Sequence, residues 1–192
     1  LAVVLLFVTA CSTTVERVGK RADALDDAAW QSSKWISVVD APVVTKRDSK
    51  RAADGASWFL TTVKNEQAVT SAKWMTTALG VYEIYINGKP IGEEFLKPGF
   101  THRTKTRCSF TYDITEAYNL AANGENTLSA QVTPGWWADY IITPSRYNGM
   151  FGKKCAFRGV LELTFADGST KLYGTDLESW KAGIAGPVKH AA

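Results

Sequence analysis

Trp136, Trp137, Asp139 and Tyr140 fall within one short run, Pro134 to Tyr140 (PGWWADY), and together they supply two kinds of contact. A flat indole or phenol ring stacks on the C–H face of a sugar, while a carboxylate accepts hydrogen bonds from its hydroxyls. The same residues also suit a domain interface, with one Trp in the core and the other against a neighbouring domain, because aromatic side chains concentrate at interfaces. Residue types alone leave both roles open. A second group, Lys97, Arg103, Lys105 and Arg107, lies near the same end and carries the charge to meet an acidic glycan. Its alternation also reads as the solvated face of a strand.

Catalysis within the chain finds little support. Glu93, Glu94, Asp113, Asp139, Glu162 and Asp176 are carboxylates without a pairing that their spacing fixes, and Asp113 and Asp167 sit where turns need them. No GxSxG nucleophile elbow occurs. With no CxxC and only His102 and His190, a zinc site is not expected. The formal net charge is +3, and the basic residues are scattered without a continuous run, so nucleic acid is not an expected partner. Seven Trp, seven Tyr and eight Phe exceed what one sandwich core of this length consumes, which leaves some of them for a ligand or a neighbouring domain.

The elements that must position these side chains are strands. Tyr82, Ile84 and Ile86 alternate with Val81, Glu83 and Tyr85, and Asn87-Gly88 then supplies the positive φ of a tight type I′ turn before Lys89 to Ile91 returns. This hairpin is expected at the heart of an antiparallel sheet. Further strands are predicted at Trp35–Val39, Ser57–Val63, Thr70–Leu79, Phe110–Tyr112, Asn126–Thr133, Arg158–Phe165, Ser169–Tyr173 and Asp176–Trp180. A short helix is expected over Asp23–Ala29, and Thr115 is expected to cap a linker helix that stops at Asn123-Gly124. Repeated short strands with turn residues between them predict an all-β fold: an antiparallel β-sandwich of jelly-roll or galactose-binding-like type with one short helix. Cys108 and Cys155 are each placed in a predicted strand. Pairing and two separate half-buried thiols are both open, and the spacing favours the second.

The chain begins with the apolar run Leu1 to Ala10, of signal-peptide length and too short to span a bilayer, followed by Cys11. Val8-Thr9-Ala10-Cys11 resembles a bacterial lipobox, which makes Cys11 the expected lipidation site. Residues 1–11 then form a lipoprotein signal, 12–29 a tether, 30–186 the sandwich and 187–192 the start of a link to a further domain. The implied location is outside the cytoplasm, anchored in the outer membrane and facing the periplasm or the cell surface.

ALGVYEIYING, LKPGFT, TYDIT, PGWW, ADGS and TDLESW follow one another in an order that resembles the N-terminal β-sandwich module of bacterial α-L-rhamnosidases, over roughly Trp58 to Trp180. The resemblance implies a non-catalytic accessory module. In that family it precedes an (α/α)6 barrel whose paired carboxylates hydrolyse terminal α-L-rhamnosides with inversion. The barrel, or a rhamnose-containing glycan, is the implied partner. The resemblance also admits a stand-alone carbohydrate-binding lipoprotein, with calcium as the ion that would hold rhamnose. No ligand positions for calcium carry over, because the loops lack a matching acidic motif.

Overall fold

Alternating burial marks nearly every predicted strand, and pairing gathers them into two sheets. The computed structural model describes residues 15–39, 55–102, 105–138 and 151–186. In chain order the described elements are β1 (Lys20–Arg21), α1 (Asp27–Gln31), β2 (Ser57–Lys64), β3 (Val69–Leu79), β4 (Val81–Ile86) and β5 (Lys89–Pro90). There follow β6 (Phe110–Asp113), a 3-10 turn (Thr115–Ala117), β7 (Glu125–Thr133), α2 (Gly135–Ala138), β8 (Ala156–Phe165), β9 (Thr170–Gly174) and β10 (Lys181–Gly183). One antiparallel sheet has the order β1-β6-β3-β8-β9 and the other β10-β2-β7-β4-β5. The all-β sandwich expected from the sequence is therefore what forms, with three short helical turns rather than one.

The core lies between the sheets, where period-two strands turn their apolar faces inward. Phe59 on β2, Leu128, Ala130 and Val132 on β7, and Tyr82, Ile84 and Ile86 on β4 come from one sheet; Trp74, Phe157, Leu161 and Leu163 come from the other. Phe157 is the hub. Its ring stacks 5.8 Å from Phe59 and meets Trp74 and Tyr82 edge-on at 6.2 and 6.3 Å, joining both sheets. Gly80 passes the chain from β3 in one sheet to β4 in the other at φ 138°, and a Cβ there would lie 2.4 Å from the Thr133 carbonyl oxygen. Only glycine fits that crossing.

The Asn87-Gly88 hairpin forms with Ile86 opposite Lys89 and φ of 50° and 81° at its corner. It sits at the edge of its sheet rather than the centre, because β5 is two residues long and only the isolated bridge from Val18 to Ile91 extends the sheet beyond it. Other expectations change for local reasons. Trp35–Val39 is no strand: Ile36 alone bridges Phe157, occupying the β8 edge that β9 has left at Gly174. Asp176–Trp180 is a turn, since the Asp176 carboxylate accepts from the Glu178 and Ser179 amides at 2.7 and 2.6 Å, and the last strand follows at Lys181–Gly183. Thr115 is no cap; its hydroxyl accepts the Ala72 amide, while Asp113 accepts the Thr115 amide. The helix near Asp23–Ala29 starts later, at Asp27, capped by Asp26.

Nor do residues 15–29 hang free as a tether. Lys20–Arg21 pairs with Tyr112 and Asp113, Val18 bridges Ile91, and the Arg17 guanidinium bonds the Glu83 carboxylate at 2.7 Å. That same Glu83 oxygen accepts from Lys97 Nζ at 2.8 Å, and the Ile91 carbonyl accepts the Lys97 ammonium too. Lys97 is thus buried and ion-paired, against the expectation of a solvated basic face. Desolvation outweighs Glu83 and lowers the Lys97 pKa. Cys108 and Cys155 both stand just outside strands and are not joined by a disulfide.

Candidate functional site

The aromatic run sits where β7 ends. Pro134 opens a turn whose carbonyl accepts the Trp137 and Ala138 amides at 3.1 and 3.2 Å, closing the single helical turn α2. Gly135 is at φ 45°, where a Cβ would come within 2.4 Å of the Val81 side chain, so α2 is held against the start of β4. The two tryptophans then part company. Trp137 is built in: its indole N–H donates to the Lys154 carbonyl at 3.1 Å, its own carbonyl accepts the Gly152 amide at 2.9 Å, and a Gly152 Cβ would sit 2.2 Å from the indole. Trp136 faces the rim. It meets Phe100 edge-on at 6.2 Å, and Phe100, 62% exposed, meets Phe151 at 5.5 Å. Phe95 and Leu96 are exposed on the same connection between β5 and β6.

Behind that rim lies a cavity of about 40 Å³ beside Gly80, Pro98 and Cys108. It has room for a few waters at most, at about 10–15 Å³ each on this measure, and none for a sugar ring. A saccharide at this end would have to stack on the rim. Asp139 and Tyr140, the other members of the predicted site, lie outside the described residues, as do Arg103 and Cys11.

A second concave region takes in Lys105 and Arg107 of the basic group named from the sequence, while its other residues, far apart along the chain, were not singled out. On the outer face of the β3–β8 sheet, Thr77 and Arg158 are register partners, and Trp30, Trp35, Lys105 and Arg107 surround them in an open groove of about 500 Å³. The Arg158 guanidinium lies 4.3 Å from the Trp30 ring centre, donates through Nη2 to the Trp30 carbonyl at 2.6 Å and through Nε to Ser33 Oγ at 2.9 Å. Burial lowers its pKa. Arg107 lies 5.8 Å from the Trp35 ring centre. The signal available in the sequence was slight: Trp30 and Trp35 at the end of a charged, Ala-rich stretch.

The carboxylates are dispersed in separate structural duties. Glu94 accepts the Tyr112 hydroxyl at 2.7 Å, and this bond, with the nearby Arg21 and Lys97 charges, outweighs burial and holds its carboxyl below the usual range. Burial, reinforced by Glu94, pushes the Tyr112 phenol far above its ordinary value. Asp113 and Asp176 are likewise lowered, as hydrogen bonds from Thr115 and Ser179 overcome desolvation. Among the described residues no group of three His, Cys, Asp or Glu is placed to hold a metal ion.

Two antiparallel sheets with an aromatic rim at one end and a basic, tryptophan-lined outer face define a β-sandwich module. The chain belongs to the α-L-rhamnosidase N-terminal domain family, whose model matches residues 67–192. An α-L-rhamnosidase of Alteromonas sp. is 31% identical over 88% of the chain, which spans 18% of that relative. The crystal structure of the Streptomyces avermitilis α-L-rhamnosidase complexed with L-rhamnose is 30% identical with a TM-score of 0.61, covering 68% of this chain and 12% of its own. The native Aspergillus terreus enzyme, 24% identical, shares the fold at a TM-score of 0.73 over 87% of this chain and 18% of its own. The chain thus spans less than a fifth of the length of these relatives.

Proposed function

We propose that this chain is the non-catalytic N-terminal module of an α-L-rhamnosidase, supporting hydrolysis of terminal α-L-rhamnosides by packing on, or presenting substrate to, an (α/α)6 catalytic barrel. The observation that carries this reading is the aromatic rim in which exposed Phe100 packs on half-buried Trp136 and Phe151, beside exposed Phe95 and Leu96 and above a cavity too small for a sugar. Exposed apolar groups clustered at one end of a domain suit a partner surface. The relatives named above are rhamnosidases of several times this length, which supports a catalytic partner in the same enzyme. The module works outside the cytoplasm, anchored through a lipid on Cys11; support for this is the lipobox-like run ending at that residue. No helix among the described residues is long and apolar enough to cross a membrane.

A calorimetric titration with L-rhamnose, with and without calcium, run beside an aryl α-L-rhamnoside hydrolysis assay, tests the reading. Neither turnover nor saturable rhamnose binding is expected. Turnover would overturn the accessory role, and calcium-dependent rhamnose binding lost on Trp136→Ala would establish a sugar-binding module instead. Incorporation of labelled fatty acid, abolished by Cys11→Ser, checks the anchor.

A further inference from the structure

The outer-face groove has features that the accessory role does not require. Three cations, Lys105, Arg107 and Arg158, line it, and no described acidic side chain does. None of the three takes part in an ion pair among the described residues, although six such pairs occur elsewhere. Gathering like charges without a counter-ion is unfavourable, and most so at a half-buried position such as Arg158. An anion would relieve it.

The groove is also preorganised. Arg158 cannot swing away, because Ser33 and the Trp30 carbonyl hold two of its five N–H donors and the Trp30 ring supports its plane. Among the described residues its remaining donors meet no acceptor. Trp35 also lines the groove, with Arg107 over its ring, and is fixed in place because the adjacent Ile36 exchanges both backbone hydrogen bonds with Phe157. Thr77 is held as well, its hydroxyl donating to the Cys108 carbonyl at 2.7 Å. The volume, about 500 Å³, lies within the range of about 300–1,000 Å³ usual for small-ligand sites.

We propose that this groove binds a sugar bearing a negatively charged group, with the anion held between Arg107, Lys105 and Arg158 and the ring against Trp35 and Trp30. Arginine forks match the paired oxygens of a carboxylate or sulfate, and the indoles supply the flat apolar wall. That the ligand is a sugar rests on the proposed rhamnosidase role; that it is anionic rests on the groove alone. The groove adjoins the Trp136 rim at Arg107 and Cys108, and the rim has its own test above.

The experiment is a calorimetric and tryptophan-fluorescence titration of the full chain with methyl glucuronide, glucose 6-sulfate, neutral methyl glucoside and inorganic sulfate. Saturable binding of at least one charged sugar is expected, at least tenfold tighter than of neutral glucoside and weakened tenfold or more by Arg107→Glu. Arg107 is exposed, so that variant should fold, and an unchanged thermal midpoint verifies it. Binding of the glucuronide alone identifies a carboxylate ligand, and of the sulfated sugar alone a sulfate ligand; either supports the site. Inorganic sulfate binding as tightly as the sulfated sugar would overturn the sugar contact, and no binding of any anion, or binding indifferent to Arg107→Glu, would overturn the site. None of these failures touches the rhamnoside hydrolysis and rhamnose-binding readouts that judge the accessory role.

Discussion

The aromatic rim and the outer-face groove each centre on a pair of tryptophans, yet the surroundings make them different objects. At the rim, Trp137 is locked by Lys154 and Gly152 and Trp136 joins an apolar cluster over about 40 Å³ of space. In the groove, Trp30 and Trp35 are both half-buried, each carries an arginine over its ring, and about 500 Å³ stays open. The two regions touch, since Arg107 and Cys108 border both. The lesson is that tryptophan content does not decide a role; what covers the ring faces does.

The largest effect should come from a change that erases the contrast altogether. Phe157→Ala removes the ring that joins the sheets and should cost about 3–5 kcal/mol in urea denaturation, loosening rim and groove together because Ile36 also pairs with residue 157. A loss confined to one region would show that the two are independently supported.

Within the rim, Trp137→Ala should destabilise the chain by about 2–3 kcal/mol, whereas Trp136→Ala should cost less than about 1 kcal/mol. Equal losses in chemical denaturation would mean that both tryptophans are structural and the rim has no free member. In the groove, Arg158→Ala removes two hydrogen bonds and should cost about 1–2 kcal/mol, with altered Trp30 emission, while Arg107→Ala should stay within about 0.5 kcal/mol.

The smallest effect is on acid stability. Glu94, Asp113 and Asp176 have folded pKa values below their unfolded ones, so the stabilisation they contribute is present above roughly pH 4 and is lost as the pH falls through the folded values. The thermal midpoint should hold steady from about pH 7 to 5 and drop below about 4, and Asp176→Asn should shallow that drop.

Much of the sandwich was legible from sequence because its signals are local. Alternation in Val81–Ile86 and the Asn87-Gly88 corner specify a hairpin without reference to the rest of the chain. The hairpin's place at the sheet edge was not legible, since strand order depends on what β7 pairs with. Lys97 read as solvated because nothing in its sequence neighbourhood announces Glu83, which it shares with Arg17, as its ion-pair partner. Trp136 and Trp137 were found because they are adjacent in sequence, and their separate roles were hidden because Gly152 and Lys154 supply the difference. Of the groove only Lys105 and Arg107 were noticed, as neighbours in a basic stretch, because Trp30, Trp35 and Arg158 join them only once the β3–β8 sheet exists.

The most direct test of the central claim is a binding titration between this chain and a rhamnosidase (α/α)6 barrel produced without its own N-terminal module. The account predicts saturable association that Trp136→Ala with Phe100→Ala weakens at least tenfold and Lys105→Glu, in the groove alone, leaves unchanged, the folded state being intact in each variant. No association, or association that depends on Lys105 and ignores the rim, would contradict it.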